Sequence, residues 1–229
     1  MANLEHLKIL AKGVFEWNLW RELNPQISPD LSNVDFSSMN LEGVNFTSSI
    51  ITGSNFERAN LRKARLSKSK LMYTQFREAI LAEAHLDFAD LTKAYMLDAR
   101  LEGAYFYKSR LVKTNLSGTY LSHTLLDDCN LTGVSLFAAF LRATSLTGTN
   151  LRNAVMIATT LSDVDLSVAK NIDKIRHLGA STIGIDTLYK SQWKIPLSFL
   201  RGAGIPDTMI EYANSLIGKP IEYYSCFIS

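Results

Sequence analysis

Cysteine and histidine are scarce in this 229-residue chain, which has two of the first and four of the second. Cys129 and Cys226 lie far apart, with no CxxC pair or Cys/His cluster around them. Neither a disulfide framework nor a structural metal site is expected, and free thiols suit a reducing compartment. His6, His85, His123 and His177 are scattered, which argues against metal ligation. An excess of one charge is also missing, because 24 Lys and Arg face 22 Asp and Glu. That balance demands neither nucleic acid nor a membrane surface. No apolar run approaches the roughly 20 residues needed to span a bilayer. The opening MANLEHLKILAKG carries charges where a signal peptide needs an unbroken apolar core. A cytoplasmic protein is the expectation.

Catalytic signatures are missing too. There is no GxSxG elbow, no paired His/Glu zinc motif and no nucleophile–base pair. Arg201-Gly202-Ala203-Gly204 lacks the spacing and the following Lys-Ser/Thr of a phosphate loop, and it reads as a helix-ending turn. No enzymatic activity, cofactor, metal or small-molecule substrate is expected.

What is present is a period of five. Every fifth residue from Leu31 to Leu166 is apolar, and the twenty-eight positions hold twenty Leu, five Phe, two Met and one Ile. Two residues before each lies a second column, running from Val34 to Val164, that is Ala, Ser, Thr, Val or Cys except at Met39. Five fits neither the 3.6-residue helix nor the two-residue strand. It fits a chain that turns a corner every five residues, with one large and one small side chain inside a narrow tube and three facing water. Burying each central Leu or Phe contributes about 1.5–3 kcal/mol. A Leu in the small column would overpack the tube.

Segments such as NLEGVNF, NFERANLRKARL, DFADLTKAYM and NLTGVSL resemble the A(N/D)LXX motif of the pentapeptide-repeat proteins. The resemblance implies an all-β solenoid, a right-handed quadrilateral β-helix with four pentapeptides per coil. Residues twenty apart would then stack at about 4.8 Å, giving roughly seven coils and a rod on the order of 33 Å long. Phe36, Phe56 and Phe76 would form a ladder on one wall.

The flanks break the period. Residues 2–23 read as one amphipathic helix, stopped by Pro25, that covers the open end of the tube, so residues 1–30 form an N-terminal helical cap. Its polar face mixes Glu with Lys, which disfavours a membrane-surface role. Residues 31–169 are the β-helix, and residues 170–229 are a mostly helical extension. In that extension Asp186 caps one helix, Pro196 starts another and Asp207 caps a third that ends near Gly218. This stretch resembles the region that joins a pentapeptide β-helix to a TIR domain in bacterial proteins. The closing Tyr224-Ser225-Cys226-Phe227-Ile228-Ser229 resembles a first TIR strand cut off as it begins.

Two functional readings arise from the resemblance. One is a non-catalytic scaffold or protein–protein interaction module that positions or oligomerises a C-terminal, TIR-like effector domain. The alternative is a standalone regulator of a nucleic-acid enzyme, such as a type II topoisomerase, acting by surface mimicry. The DNA-mimicking members of the family are strongly acidic, whereas residues 31–166 hold fourteen Lys or Arg against thirteen Asp or Glu. The cations Arg58, Arg62, Lys63, Arg65, Lys68 and Lys70 fall within one coil and ring the tube, so nucleic acid is not an expected partner. Stacking at twenty places Tyr95, Leu97, Phe137, Val155 and Ile157 on one outer wall, with Phe140 around the next corner. These residues are the candidate interaction surface, covered either by residues 170–229 of the same chain or by a second copy or partner domain, on the expectation that this wall alone turns apolar, toward its C-terminal half.

Overall fold

The computed structural model describes residues 2–215. Between Asp30 and Lys170 the chain climbs by parallel pairing of residues twenty apart, from Asp30↔Ile50 to Asn150↔Lys170. Most five-residue steps close a turn in which the small residue donates its N–H to the preceding central carbonyl, as Ala94 does to Leu91 at 2.9 Å. The second central residue of the turn has positive φ, 58° at Lys93, the conformation a type II turn requires. This recurs at every fifth position from Asn33 to Asp163, and twenty-one of those twenty-seven residues are not glycine. A left-handed residue costs energy in isolation. It is held here because the same N–H reaches the coil above, as Lys93 N–H does to the Val112 carbonyl. Glycine is needed where the residue one coil back points upward: a Cβ on Gly118 would meet Asp98 Oδ1 at 2.0 Å.

Four such turns make one coil and four walls. Wall one is centred on Leu31, Ile51 and Leu71, wall two on Phe36, Phe56 and Phe76, wall three on Leu41 and Leu61, and wall four on Phe46 and Leu66. All twenty-eight central residues are buried. On wall two Phe36 stacks on Phe56 at 4.9 Å and Phe56 on Phe76 at 5.3 Å.

The small column is set by hydrogen bonding as well as by size. Ser54, Thr74, Ser109, Thr114, Thr124 and Thr149 each donate a hydroxyl to the central carbonyl twenty-three residues earlier. Cys129 takes the same position, with its Sγ 2.7 Å from the Phe106 carbonyl. Burial pushes this thiol up to about 12, so it is an inert space-filler and not a nucleophile. Ser69 and Thr119 donate instead to the central carbonyl of their own turn, Leu66 and Leu116, and Ser49 is an exception of another kind. Its hydroxyl has no partner, and the residue twenty-three before it, Gln26, precedes the stack. Met39 breaks the column's size rule by pointing outward, 40% exposed.

The N-terminal segment is two helices, α1 (Leu4–Leu10) and α2 (Val14–Leu23), where one was expected. Gly13, at φ 121°, turns the chain between them. The helix α2 offers the first coil the partners that a lower coil would supply. Trp17 Nε1 donates to the Asn45 carbonyl at 2.8 Å, Asn18 accepts the Asn45 N–H at 2.8 Å, and Arg21 donates to the Thr47 carbonyl at 2.9 Å. Arg21 is buried, and desolvation lowers its proton affinity. It is held by the carbonyls of Ile27 and Asn24 besides that of Thr47.

Parallel pairing outlasts the five-residue pattern. The strands β1 (Phe140–Arg142), β2 (Val155–Met156), β3 (Thr160–Ser162), β4 (Arg176–His177) and β5 (Thr182–Ile183) pair in the order β1–β3–β5 and β2–β4. The spacing grows from twenty residues at Asn150↔Lys170 to Val155↔Arg176 around a 3-10 turn, Ile172–Lys174, and again to Thr160↔Thr182 through a residue inserted between His177 and Thr182. Three helices follow: α3 (Ile185–Lys190), α4 (Leu197–Gly202) and α5 (Asp207–Ser215). The helix α3 lies on the last repeats, where Thr187 and Ser191 accept the backbone N–H groups of Val164 and Leu166. Asp186 is inside the first turn of α3 and Gly184 is its cap; the Asp186 carboxylate, lowered chiefly by the Asp163 backbone N–H, also accepts from Thr187 and Ser162. Asp207 is the first residue of α5 and pairs with Arg201 at 2.7 Å. The Arg201–Gly204 stretch ends α4, with Gly204 at φ 90°. The expected end of the third helix near Gly218, Cys226 and the TIR-like closing strand lie outside the described residues. Among the described residues no helix is long and apolar enough to cross a membrane.

Candidate interaction surface

The twenty-residue pairing brings the wall-two candidates onto one face, and the chain's own next turn then divides them. Tyr95 and Phe137 are each 48% exposed, while Leu97, Val155 and Ile157 are half-buried. Val155 pairs with Arg176, and the backbone at Gly179 passes so close that a Cβ there would lie 2.9 Å from Ile157 Cδ1. The upper end of the patch is therefore partly covered from within the chain, and its lower part is open. Phe140 stands around the corner on wall three, stacked on Tyr120 at 5.2 Å, with both rings exposed.

Wall two is not the only apolar wall. Wall four exposes Phe88, Tyr105, Tyr107 and Leu125. Tyr105 stacks on His85 at 4.5 Å, Phe88 meets Tyr107 edge-on at 5.6 Å, and Lys108 lies 4.9 Å over the Tyr107 ring. The same stacking rule reveals these rings in the sequence. They are harder to see because Asp87, Asp127 and Asp128 lie among them, whereas the upper part of wall two is nearly uncharged.

The basic ring is partly neutralised by the coil above. Arg58 pairs with Glu78 at 2.8 Å and holds that carboxyl below its usual range. Arg62 and Lys63 both reach Glu83. Among the described residues no group of His, Cys, Asp and Glu could hold a metal ion. His6 accepts the Asp30 N–H in the N-terminal segment, and His85 and His123 are exposed.

His177 is placed differently. Both ring nitrogens are shielded from solvent without a hydrogen-bond partner, under α4, where the ring meets Phe199 edge-on at 5.0 Å. Desolvation lowers its proton affinity below the ordinary imidazole value. Arg201 on α4 and Arg176 on β4 add only positive charge to the two packed elements. A base held neutral when docked takes up a proton when released, so stability is full above about pH 6.5 and falls as pH drops toward the lowered value. Trp193 fluorescence during thermal melting reads this. The wild type should melt earlier at pH 5.5 than at pH 7.5 (about one pH unit either side of the ordinary imidazole value), and His177→Phe should lose most of that difference; equal pH dependence in both would refute the assignment. Beside this contact is an apolar cleft of about 650 Å³ lined by Ile183, Leu188, Trp193, Leu197, Ile205 and Met209.

A narrow filled tube built from one repeating turn defines a solenoid. The chain belongs to the pentapeptide repeat family: the family model for pentapeptide repeats (8 copies) matches residues 30–68, 69–106, 114–153 and 136–169. Members of this family fold as right-handed quadrilateral β-helices. Among solved structures, the pentapeptide repeat protein Rfr23 from the cyanobacterium Cyanothece 51142 is 23% identical, with 47% of this chain and 88% of that chain covered and a TM-score of 0.42. HetL, a pentapeptide repeat protein involved in heterocyst differentiation regulation from the cyanobacterium Nostoc sp. strain PCC 7120, is 24% identical, with 72% and 89% covered and a TM-score of 0.38. Trypsin-treated QnrB1, a plasmid-mediated fluoroquinolone resistance protein, is 16% identical, with 72% and 85% covered and a TM-score of 0.43. No match is found among curated proteins.

Proposed function

We propose that this chain is a non-catalytic scaffold whose rods associate side by side through wall two and so position or oligomerise a C-terminal effector domain, TIR-like on the resemblance of residues 170–229. In this reading residues 1–30 are a cap, residues 31–169 a rod of about seven coils with the four-walled section of the family, and the extension passes the rod's orientation to that effector domain. The setting is cytoplasmic. The observation that carries the reading is the open, nearly uncharged part of wall two around Tyr95 and Phe137, large rings at positions that hold Ser, Arg or Gln elsewhere on that wall. Exposed apolar area of this kind marks contact surfaces, and here it stands on either side of a polar coil carrying Asn115 and Ser117.

Sedimentation velocity on the wild type and on Tyr95→Glu/Phe137→Glu tests it. These two positions are chosen over Ile157, whose packing under Gly179 would confuse assembly with folding. The wild type should sediment as a dimer or larger species, and the double variant as a monomer with an unchanged melting temperature. A monomeric wild type, or a variant that keeps its assembly state, would overturn the self-association.

A further inference from the structure

The walls differ in charge far more than the whole chain does. From residue 70 to residue 170, wall one carries Lys70, Lys93, Arg110, Lys113, Arg152 and Lys170 against a single carboxylate, Asp90. All six cations are exposed, and of these only Arg110 has a carboxylate partner among the described residues, Asp90 at 3.7 Å. Lys93 lies over the exposed ring of Tyr73 at 5.3 Å and so is held outward. The other three walls take nearly all the acidic residues of the repeats. Lys70, Arg110 and Lys170 share one paired column, through Asp90, Asn130 and Asn150. Five coil steps separate its ends, about 24 Å at the inter-strand spacing.

We infer that wall one is a binding face for the phosphate backbone of a nucleic-acid duplex, independent of base sequence. A line of exposed cations, five of the six without a carboxylate partner among the described residues, on one face of a rigid rod is the electrostatic footprint of polyanion binding. Three features select the duplex. Tyr73 is the one large apolar side chain exposed on this wall among the described residues, so nothing inserts into a lipid interface beside the lysines. A single strand calls for a series of stacking rings, which the wall lacks. The cations also fall into two groups separated by the coil of Asn130 and Gly133, Lys70 with Lys93, Arg110 and Lys113, then Arg152 with Lys170. Lys113 and Arg152 stand two coils apart, about 10 Å, close to the roughly 12 Å width of a major groove between its two phosphate strands. The basic ring at residues 58–70 is a separate feature, since only Lys70 belongs to this wall.

Fluorescence anisotropy of a labelled mixed-sequence duplex of about 24 base pairs, titrated with the full chain, tests the inference. If four of the five unpaired cations contact phosphates, raising salt from about 50 to about 150 mM weakens binding roughly 50-fold. Lys113→Glu/Arg152→Glu should weaken binding at least tenfold at the lower salt, to the order of a two-contact loss. Arg65→Glu/Lys68→Glu, an equal change of net charge on wall four, should weaken it less than about threefold, the effect of a change in net charge alone. Circular dichroism melts check that both pairs remain folded, and alanine pairs at the same positions replace either one that does not. No binding at the lower salt, equal losses in the two pairs, or sedimentation of the chain with phosphatidylserine vesicles but no duplex binding would each overturn it.

Discussion

Ala89→Leu is expected to unfold the middle of the rod, while Lys93→Ala, four residues away, leaves the melting temperature nearly unchanged. Ala89 is in the small column, buried, with its N–H shared with the Ser109 hydroxyl at 3.1 Å and its carbonyl taken by the Arg110 N–H at 2.9 Å. Ser69 and Ser109 occupy the same column one coil below and above, so three added carbons have no direction in which to relax. Overpacking usually costs about 1–3 kcal/mol, and the upper end applies where backbone surrounds the site on all sides. Lys93 faces water, and its replacement should lie within about 0.5 kcal/mol. Thermal melts by circular dichroism compare them. Similar melting temperatures for the two variants would remove the basis for the inward and outward columns.

Trp17→Ala should free the first coils from the rest of the solenoid. Trp17 is fully buried, lies edge-on to Phe46 at 5.7 Å and donates to the Asn45 carbonyl. Deleting the ring leaves a cavity worth roughly 3–5 kcal/mol, and the orphaned carbonyl adds about 1–3 kcal/mol. Repeat proteins lose stability near the lesion first, because each coil contacts only its neighbours. Amide exchange should therefore accelerate in residues 31–50 and remain slow beyond residue 90 (on the order of two coils from the lesion). Trp17→Phe separates the two contributions by keeping most of the packing and losing only the hydrogen bond. Uniform acceleration along the rod would mean that α2 holds the whole fold and not its first edge.

The repeat was legible because one side-chain class recurs at one spacing, so Leu31 to Leu166 announces the tube and Phe36, Phe56 and Phe76 their own stack. Size alone, however, does not explain Ser and Thr at positions such as Thr74 and Thr124, because the carbonyls they serve are twenty-three residues away and become neighbours only once the coils are stacked. The break at Gly13 was hidden by the apolar residues on either side of it, Leu10 and Val14, since a glycine inside an apolar pattern reads as a tolerated helix residue. The pairing of Arg176 with Val155 was equally hidden, because its backbone hydrogen bonds require no repeat in the side chains. On the outer surface, Phe137 was visible through its uncharged neighbours. Phe88 and Tyr107 were masked by the aspartates between them, and Lys113 and Arg152 only become one feature when read at twenty-residue intervals.

The coil also converts chain length into two kinds of displacement. Inserting twenty residues would add one storey and move everything above it by about 4.8 Å without turning it. Inserting five would instead swing everything above the insertion by a quarter turn and advance it by only about a quarter of that height. Whatever is mounted above residue 183 is thus indexed to α2 like a hand on a dial with four stops, and a single repeat gained or lost re-aims it toward a different neighbour.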